Sequence, residues 1–168
     1  GGALNEALKK DGKDVTCFSC QQRLQMAVAI CRALAHLHTV HQQVHRDVKT
    51  PNVLLLASPF QQHGEINMKL NANMLRLTKV ADFGTVREDV RHRKDAVETT
   101  ATNNQKSHAT TSNIIGTLAY MAPEYIAYGH VSVKTDTFAF GVVLMELMTN
   151  MSGHKSRSVM DLELAEIN

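Results

Sequence analysis

The sequence predicts a mainly helical chain with a small β-hairpin layer. Two stretches indicate long helices, because apolar residues recur at steps of three or four over 24–38 and residues 135–149 are apolar almost all round. A valine and leucine run at 53–56 and the segment 79–81 predict the two strands of the hairpin. A length of 168 residues favours one domain with a single core.

The first long helix is predicted over 20–39, with Ser19 as its N-cap. Its periodic residues are expected to face the core. They are Leu24, Ala27, Val28, Cys31, Leu34, Ala35 and His38.

A possible zinc site overlaps this helix. Cys17 and Cys20 form a C-x-x-C pair, and their spacing to His36 and His41 is within the range found in zinc fingers. On one continuous helix the two histidines would lie about 140° apart, which argues against a shared ion. Reduced, structural thiols in a cytosolic protein are therefore the favoured interpretation.

The remaining segments are assigned from composition. A polar loop at 44–52 leads into the first strand, and 57–77 is interpreted as a hairpin enlarged by an insertion. Residues 87–112 are polar throughout and predict a long flexible loop. The helix at 135–149 is expected at the centre of the core, interrupted only by Asp136 and Glu146, and the chain after it is weakly helical.

Charge and hydropathy exclude several classes of function. With 18 Lys and Arg against 16 Asp and Glu, the formal charge of +2 indicates no polyanionic partner. A basic cluster at 91–94 has no aromatic platform beside it, so nucleic-acid binding is not expected. The longest run free of strongly polar groups, 138–145, is too short for a membrane segment. No leader precedes Gly1, so any targeting signal is expected to lie outside this chain and the location is not directly readable. The cytoplasm or the cytoplasmic face of a membrane is the expectation.

One polar loop contains a set of groups that suits phosphoryl transfer. Asp47, Lys49 and Asn52 share it, and the reaction needs a carboxylate to receive a hydroxyl proton, a cation for the γ-phosphate and oxygen ligands for Mg²⁺. Taken alone, the loop could equally be a surface salt-bridge cluster. A second triplet, Asp82-Phe83-Gly84, directly follows a predicted strand and offers another oxygen ligand on a glycine hinge.

Four motifs in this order resemble the eukaryotic protein kinase family. HRDVKTPN at 45–52 is similar to its catalytic loop, DFG at 82–84 to its magnesium motif, APE at 122–124 to the end of its activation segment, and VKTDTFAFGVVLMELMT at 133–149 to its buried helix. Lys49 and GTLAYMAPEY resemble the Ser/Thr type and the tyrosine-kinase-like group that includes receptor-like kinases. The resemblance implies the α+β kinase fold, of which 1–168 would be a partial domain, the C-terminal lobe.

The resemblance implies ATP and Mg²⁺ as cofactors and a protein substrate bearing Ser or Thr. By position, Asp47 would be the catalytic base, Lys49 the γ-phosphate contact, Asn52 and Asp82 the Mg²⁺ ligands, and Leu54 part of the floor under adenine.

Other residues would position these groups or regulate them. Thr117 would bond to Asp47 and Lys49, and Arg46 would pair with a phosphate on the activation loop, where seven Ser or Thr lie over 99–112. In the same way, the resemblance implies that His45 and Phe83 stack in the core and that Asp136 bonds to the catalytic-loop backbone from below. Glu124 would pair with an arginine of the last C-lobe helices. Arg46 and Gly84 complete this regulatory and structural set.

The chain also departs from the family pattern. It contains no glycine-rich phosphate loop and no lysine in a Val-Ala-Ile-Lys strand, so the N-lobe is expected to be missing, along with the last helices of the C-lobe. The isolated chain is therefore expected to bind ATP poorly, to be catalytically inactive and to be marginally stable. The alternatives are a pseudokinase-like scaffold and a truncated product without activity of its own.

Overall fold

The chain folds into a mainly helical body with small antiparallel sheets, as the sequence predicts. The computed structural model describes residues 2–11, 18–56, 74–88, 109–110 and 114–167. Within those ranges the helices are α1 (Leu4–Asp11), α2 (Cys20–Thr39), α3 (Met74–Leu77), α4 (Pro123–Tyr128), α5 (Val133–Thr149) and α6 (Gly153–Ile167). The strands are β1 (Gly2–Ala3), β2 (Gln43–Val44), β3 (Val53–Leu55), β4 (Thr78–Val80), β5 (Arg87–Glu88), β6 (Ala109–Thr110) and β7 (His130–Val131).

Helix α2 has the bounds that the sequence predicts, and a capping box explains its start. The Ser19 hydroxyl accepts from the Gln22 backbone N–H at 3.2 Å, and the Gln22 side chain accepts from the Ser19 N–H at 2.8 Å. These reciprocal bonds satisfy donors that a helix N-terminus otherwise leaves without partners.

The predicted buried face of α2 is partly wrong. Leu24 and Val28 are 51% and 43% exposed, and Cys31 is also exposed. Apolar residues lie along two stripes of this helix, the predicted one and another that packs against α5 and the hairpin. The stripe that packs against them is the buried one. That buried stripe consists of Met26, Ala27, Ala29, Ile30, Leu34 and Leu37.

Helix α5 crosses α2 and forms the other wall of the core. It begins two residues before the predicted start, because the Ser132 side chain caps it by accepting from the Lys134 N–H at 3.2 Å. Its buried residues include both polar interruptions, Asp136 at 1% and Glu146 at 5% exposure. Helix α6 follows, where weak helical character is predicted.

The hairpin layer is formed by β3 and β4, shifted by a residue or less from the prediction. They pair antiparallel with Val53 opposite Val80, and β1 adds a third strand on the other side of β3. Of the predicted insertion at 57–77, only α3 lies in the described residues. The predicted loop at 87–112 contains β5 at its start and β6 near its end, paired with β2 and β7, and the residues between them lie outside the described part.

The helical argument against a zinc site needs a correction. Helix α2 ends at Thr39, so the chain turns and brings the rings of His36 and His41 to 5.1 Å. Cys20 is at the other end of α2, sixteen residues or about 24 Å from His36, and Cys17 lies outside the described residues. Among the described residues no cluster of three metal-ligating side chains occurs, and no helix is long and apolar enough to span a membrane.

Candidate active site

The loop between β2 and β3 places an acid, a cation and a hydroxyl in mutual contact. The Lys49 ammonium lies 2.7 Å from Asp47 Oδ2, and it donates to Thr117 Oγ1 at 2.9 Å. The Thr117 hydroxyl in turn donates to Asp47 Oδ1 at 3.2 Å. Three side chains that the sequence separates by up to seventy residues therefore form a closed triangle, in which both Asp47 oxygens have a donor.

Asn52 holds the same loop from its other end. Its Nδ2 donates to the Asp47 backbone carbonyl at 2.9 Å and to Asp47 Oδ2 at 3.1 Å. Both bonds use the amide nitrogen, and the amide oxygen Oδ1 remains as an acceptor suited to a hard cation. Both residues are 8% exposed, so this geometry is fixed by burial as well as by hydrogen bonds.

Asp82 is next to this loop because of the hairpin register. Asn52 immediately precedes β3 and Asp82 follows β4 by two residues, and the Ala81 N–H donates to the Asn52 carbonyl at 2.8 Å. Asp82 is exposed, and its backbone is left-handed, with φ 63° and ψ 70°. The two predicted oxygen ligands thus come from adjacent strand ends.

The DFG-like triplet differs from the expectation in two respects. The left-handed residue is Asp82, whereas no positive φ occurs at Gly84, so the special backbone geometry precedes the predicted glycine hinge. Phe83 lies 5.3 Å from the His45 ring, yet Phe83 is 56% exposed, and its expected position in the core is wrong. Phe83 also lines an open cavity, which agrees with its exposure.

Asp136 holds the start of the loop from α5. Its Oδ2 accepts from the His45 N–H at 2.7 Å and its Oδ1 from the Arg46 N–H at 2.8 Å. His38 Nε2 of α2 also lies 2.8 Å from Oδ2. The resemblance implies the backbone contacts of Asp136. The contact with His38 was not predicted, because His38 falls on the same helical period as the apolar residues of α2.

Arg46 is strained and incompletely paired. Its φ is 70°, its Nε donates to the Thr85 carbonyl at 2.5 Å, and its Nη1 is buried with no hydrogen-bond partner among the described residues. Burial lowers the pKa of the guanidinium, Tyr125 opposes that effect and Arg87 adds to it. A buried donor of this kind, beside a second arginine, suits a dianionic ligand such as a phosphate group.

The segment around Thr117 is pressed against the loop by a glycine. Gly116 has φ 133°, and a Cβ there would lie 2.9 Å from the Arg46 carbonyl oxygen, so no side chain fits. On the other side, the Tyr125 hydroxyl accepts from the Ile115 N–H at 2.9 Å and donates to the Ile115 carbonyl at 3.1 Å. These contacts hold Thr117 at Asp47.

Two predicted residues lie away from the triangle. Leu54 is the outward residue of β3 at 38% exposure, on the face opposite its buried neighbours. Glu124 is half-buried in the first turn of α4 and has no ion-pair partner among the described residues.

Sequence reasoning missed a buried network below the site. The Tyr120 hydroxyl lies 3.0 Å from each carboxylate oxygen of Glu146 and 3.3 Å from Thr50 Oγ1. Burial raises the pKa of Glu146 and that of Tyr120. The available signal was Glu146 itself, one of two acidic residues in a mostly apolar helix. A buried carboxylate needs a polar partner.

A cavity of about 420 Å³ opens beside this network and reaches the triangle. Its lining includes Lys49 and Thr117 of the triangle, Glu146 of the network, and the apolar side chains of Leu8 and Met151. The cavity gives an extended chain room next to the triangle, where it would contact both apolar and polar side chains.

Known proteins that are similar to this chain are protein kinases. The model of the protein kinase domain family matches residues 1–167. A probable serine/threonine-protein kinase CST of Arabidopsis thaliana is 35% identical over 83% of this chain, and cysteine-rich receptor-like protein kinase 28 of the same plant is 34% identical over 84%. These alignments cover 26% and 17% of the relatives, so the chain spans about a quarter or less of their length. Receptor-like kinase TMK4 of Arabidopsis thaliana is 37% identical over 77% of the chain and 11% of its own length.

Proposed function

This chain belongs to the eukaryotic protein kinase family, and from that premise we propose that it forms the large lobe of a serine/threonine kinase that transfers a phosphoryl group from ATP to a protein hydroxyl. The observation that carries the proposal is the closed triangle of Asp47, Lys49 and Thr117. The triangle brings together a proton acceptor, a cation and a hydroxyl. A surface salt-bridge cluster needs only the two charged groups, so the hydroxyl of Thr117 favours a catalytic arrangement.

The roles follow from the hydrogen bonds. Asp47 Oδ2 is fixed by Asn52 and Lys49, so the carboxylate is positioned to accept the proton of an incoming Ser or Thr hydroxyl. Lys49 supplies positive charge at the same place, and Thr117 orients both. The serine/threonine class rests on Lys49 and Thr117 and on the relatives named above.

The residues present fit Mg²⁺. Asn52 Oδ1 and the exposed Asp82 carboxylate are hard oxygen donors at adjacent strand ends, and these would hold the ion. When bound, Mg²⁺ would neutralise phosphate charge. Leu54 is exposed on β3, where it would contact the base of ATP.

Nucleotide binding tests the proposal. Purified chain would be mixed with MgATP and its melting temperature measured, with Asp82→Asn as the disrupted variant and Asp161→Asn as a control on the exposed face of α6. Because a chain without the N-lobe is expected to bind ATP poorly, a high concentration of MgATP is used, and we expect a small increase for the wild type and the control that is lost in Asp82→Asn. Equal behaviour of wild type and Asp82→Asn would contradict the magnesium assignment and favour a scaffold function.

Phosphoryl transfer requires a second test, because these 168 residues lack a glycine-rich phosphate loop and its strand lysine. We propose that the isolated chain is inactive and that its parent is active. In the parent, Asp47→Asn is expected to lower kcat by at least about a hundredfold. A parent whose activity survives this change would not use Asp47 as its base.

Regulation by phosphate is also proposed. The supporting observations are the buried Nη1 of Arg46, which has no partner within the part of the chain that the structure describes, and the seven hydroxyls that the sequence places over 99–112. Replacement of all seven by Ala in the parent is expected to abolish activation, and unchanged activity would contradict the idea.

A further inference from the structure

The end of α2 presents two exposed histidines that the proposed function does not use. Helix α2 stops at Thr39, the Val40 N–H closes it by donating to the His36 carbonyl at 2.9 Å, and the next residues fold back. As a result the rings of His36 and His41 lie 5.1 Å apart, nearly perpendicular at 82°. Both side chains are exposed to solvent.

This pair lies at the rim of a cavity. The space, about 610 Å³, is bounded by the two histidines, by Gln43 of β2 and by the outer side of Phe83. An ion at the histidines would therefore face this open cavity, from which water can complete its coordination.

We propose that His36 and His41 form a binding site for a divalent transition-metal ion. Imidazole nitrogen is a preferred ligand of Zn²⁺, Ni²⁺ and Cu²⁺, whereas Mg²⁺ prefers oxygen. Two imidazoles that share one Zn²⁺ at about 2.0–2.1 Å from each nitrogen hold their rings at a separation similar to the one found here. The exposed rings need only rotate about their side-chain torsions to converge.

The site differs from the zinc-finger pattern that the sequence suggests. It uses the two histidines of that pattern without Cys20, which is about 24 Å away along α2. With two protein ligands and the rest water, it is an open site, and its affinity is expected to be lower than that of a closed four-ligand structural site. Binding would tie the last turn of α2 to the segment that leads into β2.

The test uses the whole chain with its three cysteines alkylated, so that thiolates do not compete for the metal. ZnCl₂ would be titrated by calorimetry into wild type, His36→Asn, His41→Asn and the double variant. His154→Asn, an exposed histidine of α6, is the matched control. Circular dichroism would verify that each variant keeps the helical content of the wild type.

We expect one saturable equivalent of Zn²⁺ in the wild type and the control, with at least a tenfold loss of affinity in each single variant. EDTA should reverse the accompanying rise in melting temperature. The proposal is overturned if the wild type shows no saturable binding, if the double variant binds as tightly as the wild type, or if His154→Asn weakens binding as much as the single variants do.

Discussion

The two loops that meet at the candidate site are held in opposite ways. The loop that carries Asp47 is buried and receives bonds from α5, from Asn52 and from Thr117. The loop that carries Asp82 is exposed and left-handed at that residue, and its bonds to the Asp47 loop come from the residues on either side of it, Ala81 and Thr85. The contrast indicates that the surroundings of the Asp47 carboxylate are preset, whereas the described residues give the Asp82 carboxylate no hydrogen bond.

Removal of Asp136 should break the preset side of this comparison most severely. Asp136→Ala leaves the buried N–H groups of His45 and Arg46 without an acceptor, which is expected to lower the free energy of unfolding by at least about 3 kcal/mol. Urea unfolding followed by circular dichroism measures the loss. Asp161→Ala, in an exposed pair with Arg157, should cost less than about 1 kcal/mol, and equal losses would show that burial of the acceptor is unimportant.

Gly116→Ala should come next. The added Cβ would approach the Arg46 carbonyl to 2.9 Å at a φ that L residues avoid, so a loss of about 1–3 kcal/mol is expected. Gly2→Ala is the control, because nothing lies within 4 Å of its added Cβ. A Gly116→Ala variant as stable as the Gly2→Ala control would mean that the Thr117 segment is not pressed against the loop.

The third prediction concerns the pH dependence that Glu146 imposes. Its folded pKa is raised by burial, so the folded state holds this proton more tightly than the unfolded state does, and its stabilising contribution is lost as pH rises from about 4.5 through the raised value. Glu146→Gln keeps an acceptor for Tyr120 and removes the titration. The stability of the variant relative to wild type should therefore increase between pH 4 and pH 8. A constant difference would show that Glu146 titrates normally.

The smallest effect is expected on the exposed loop. Phe83→Ala should change the free energy of unfolding by less than about 1 kcal/mol, because more than half of the ring is in solvent. Ile30→Ala, at a fully buried position of α2, should cost about 2–5 kcal/mol under the same conditions. A large loss of unfolding free energy in Phe83→Ala would mean that the loop that carries Asp82 is held as firmly as the loop that carries Asp47.

Much of the secondary structure could be predicted, because a helix cap and a helical period depend only on residues close together in sequence. Ser19 and the helical period predicted both ends of α2, whereas the contacts of Thr117 with Asp47 and Lys49 were implied by the resemblance to protein kinases. The buried stripe of α2 was assigned incorrectly, because Leu24 and Val28 fit a helical period as well as Met26 and Ile30 do. Only the packing of α5 and of the hairpin against α2 distinguishes the two stripes.

Long-range polar pairs were harder to predict. Tyr120 bonds to Glu146 and His38 contacts Asp136, and no spacing rule joins residues so far apart in sequence. Burial alone shows that each carboxylate needs a partner, without identifying it. The His36–His41 contact is hidden for another reason: a separation of about 140° applies only if both histidines lie on one continuous helix, and α2 ends at Thr39, before His41.

The double anchoring of the Thr117 segment has a consequence for how such a chain can change over evolutionary time. Pairing of β5 with β2 fixes one end of the stretch 89–108, and the pairing of β6 with β7 together with the bonds between Tyr125 and Ile115 fixes the other. Each doubling of the chain length between two fixed ends adds only about 0.6 kcal/mol to the entropic cost of joining them. Insertions and deletions can therefore accumulate between the two anchors while the distance from Thr117 to Asp47 stays the same.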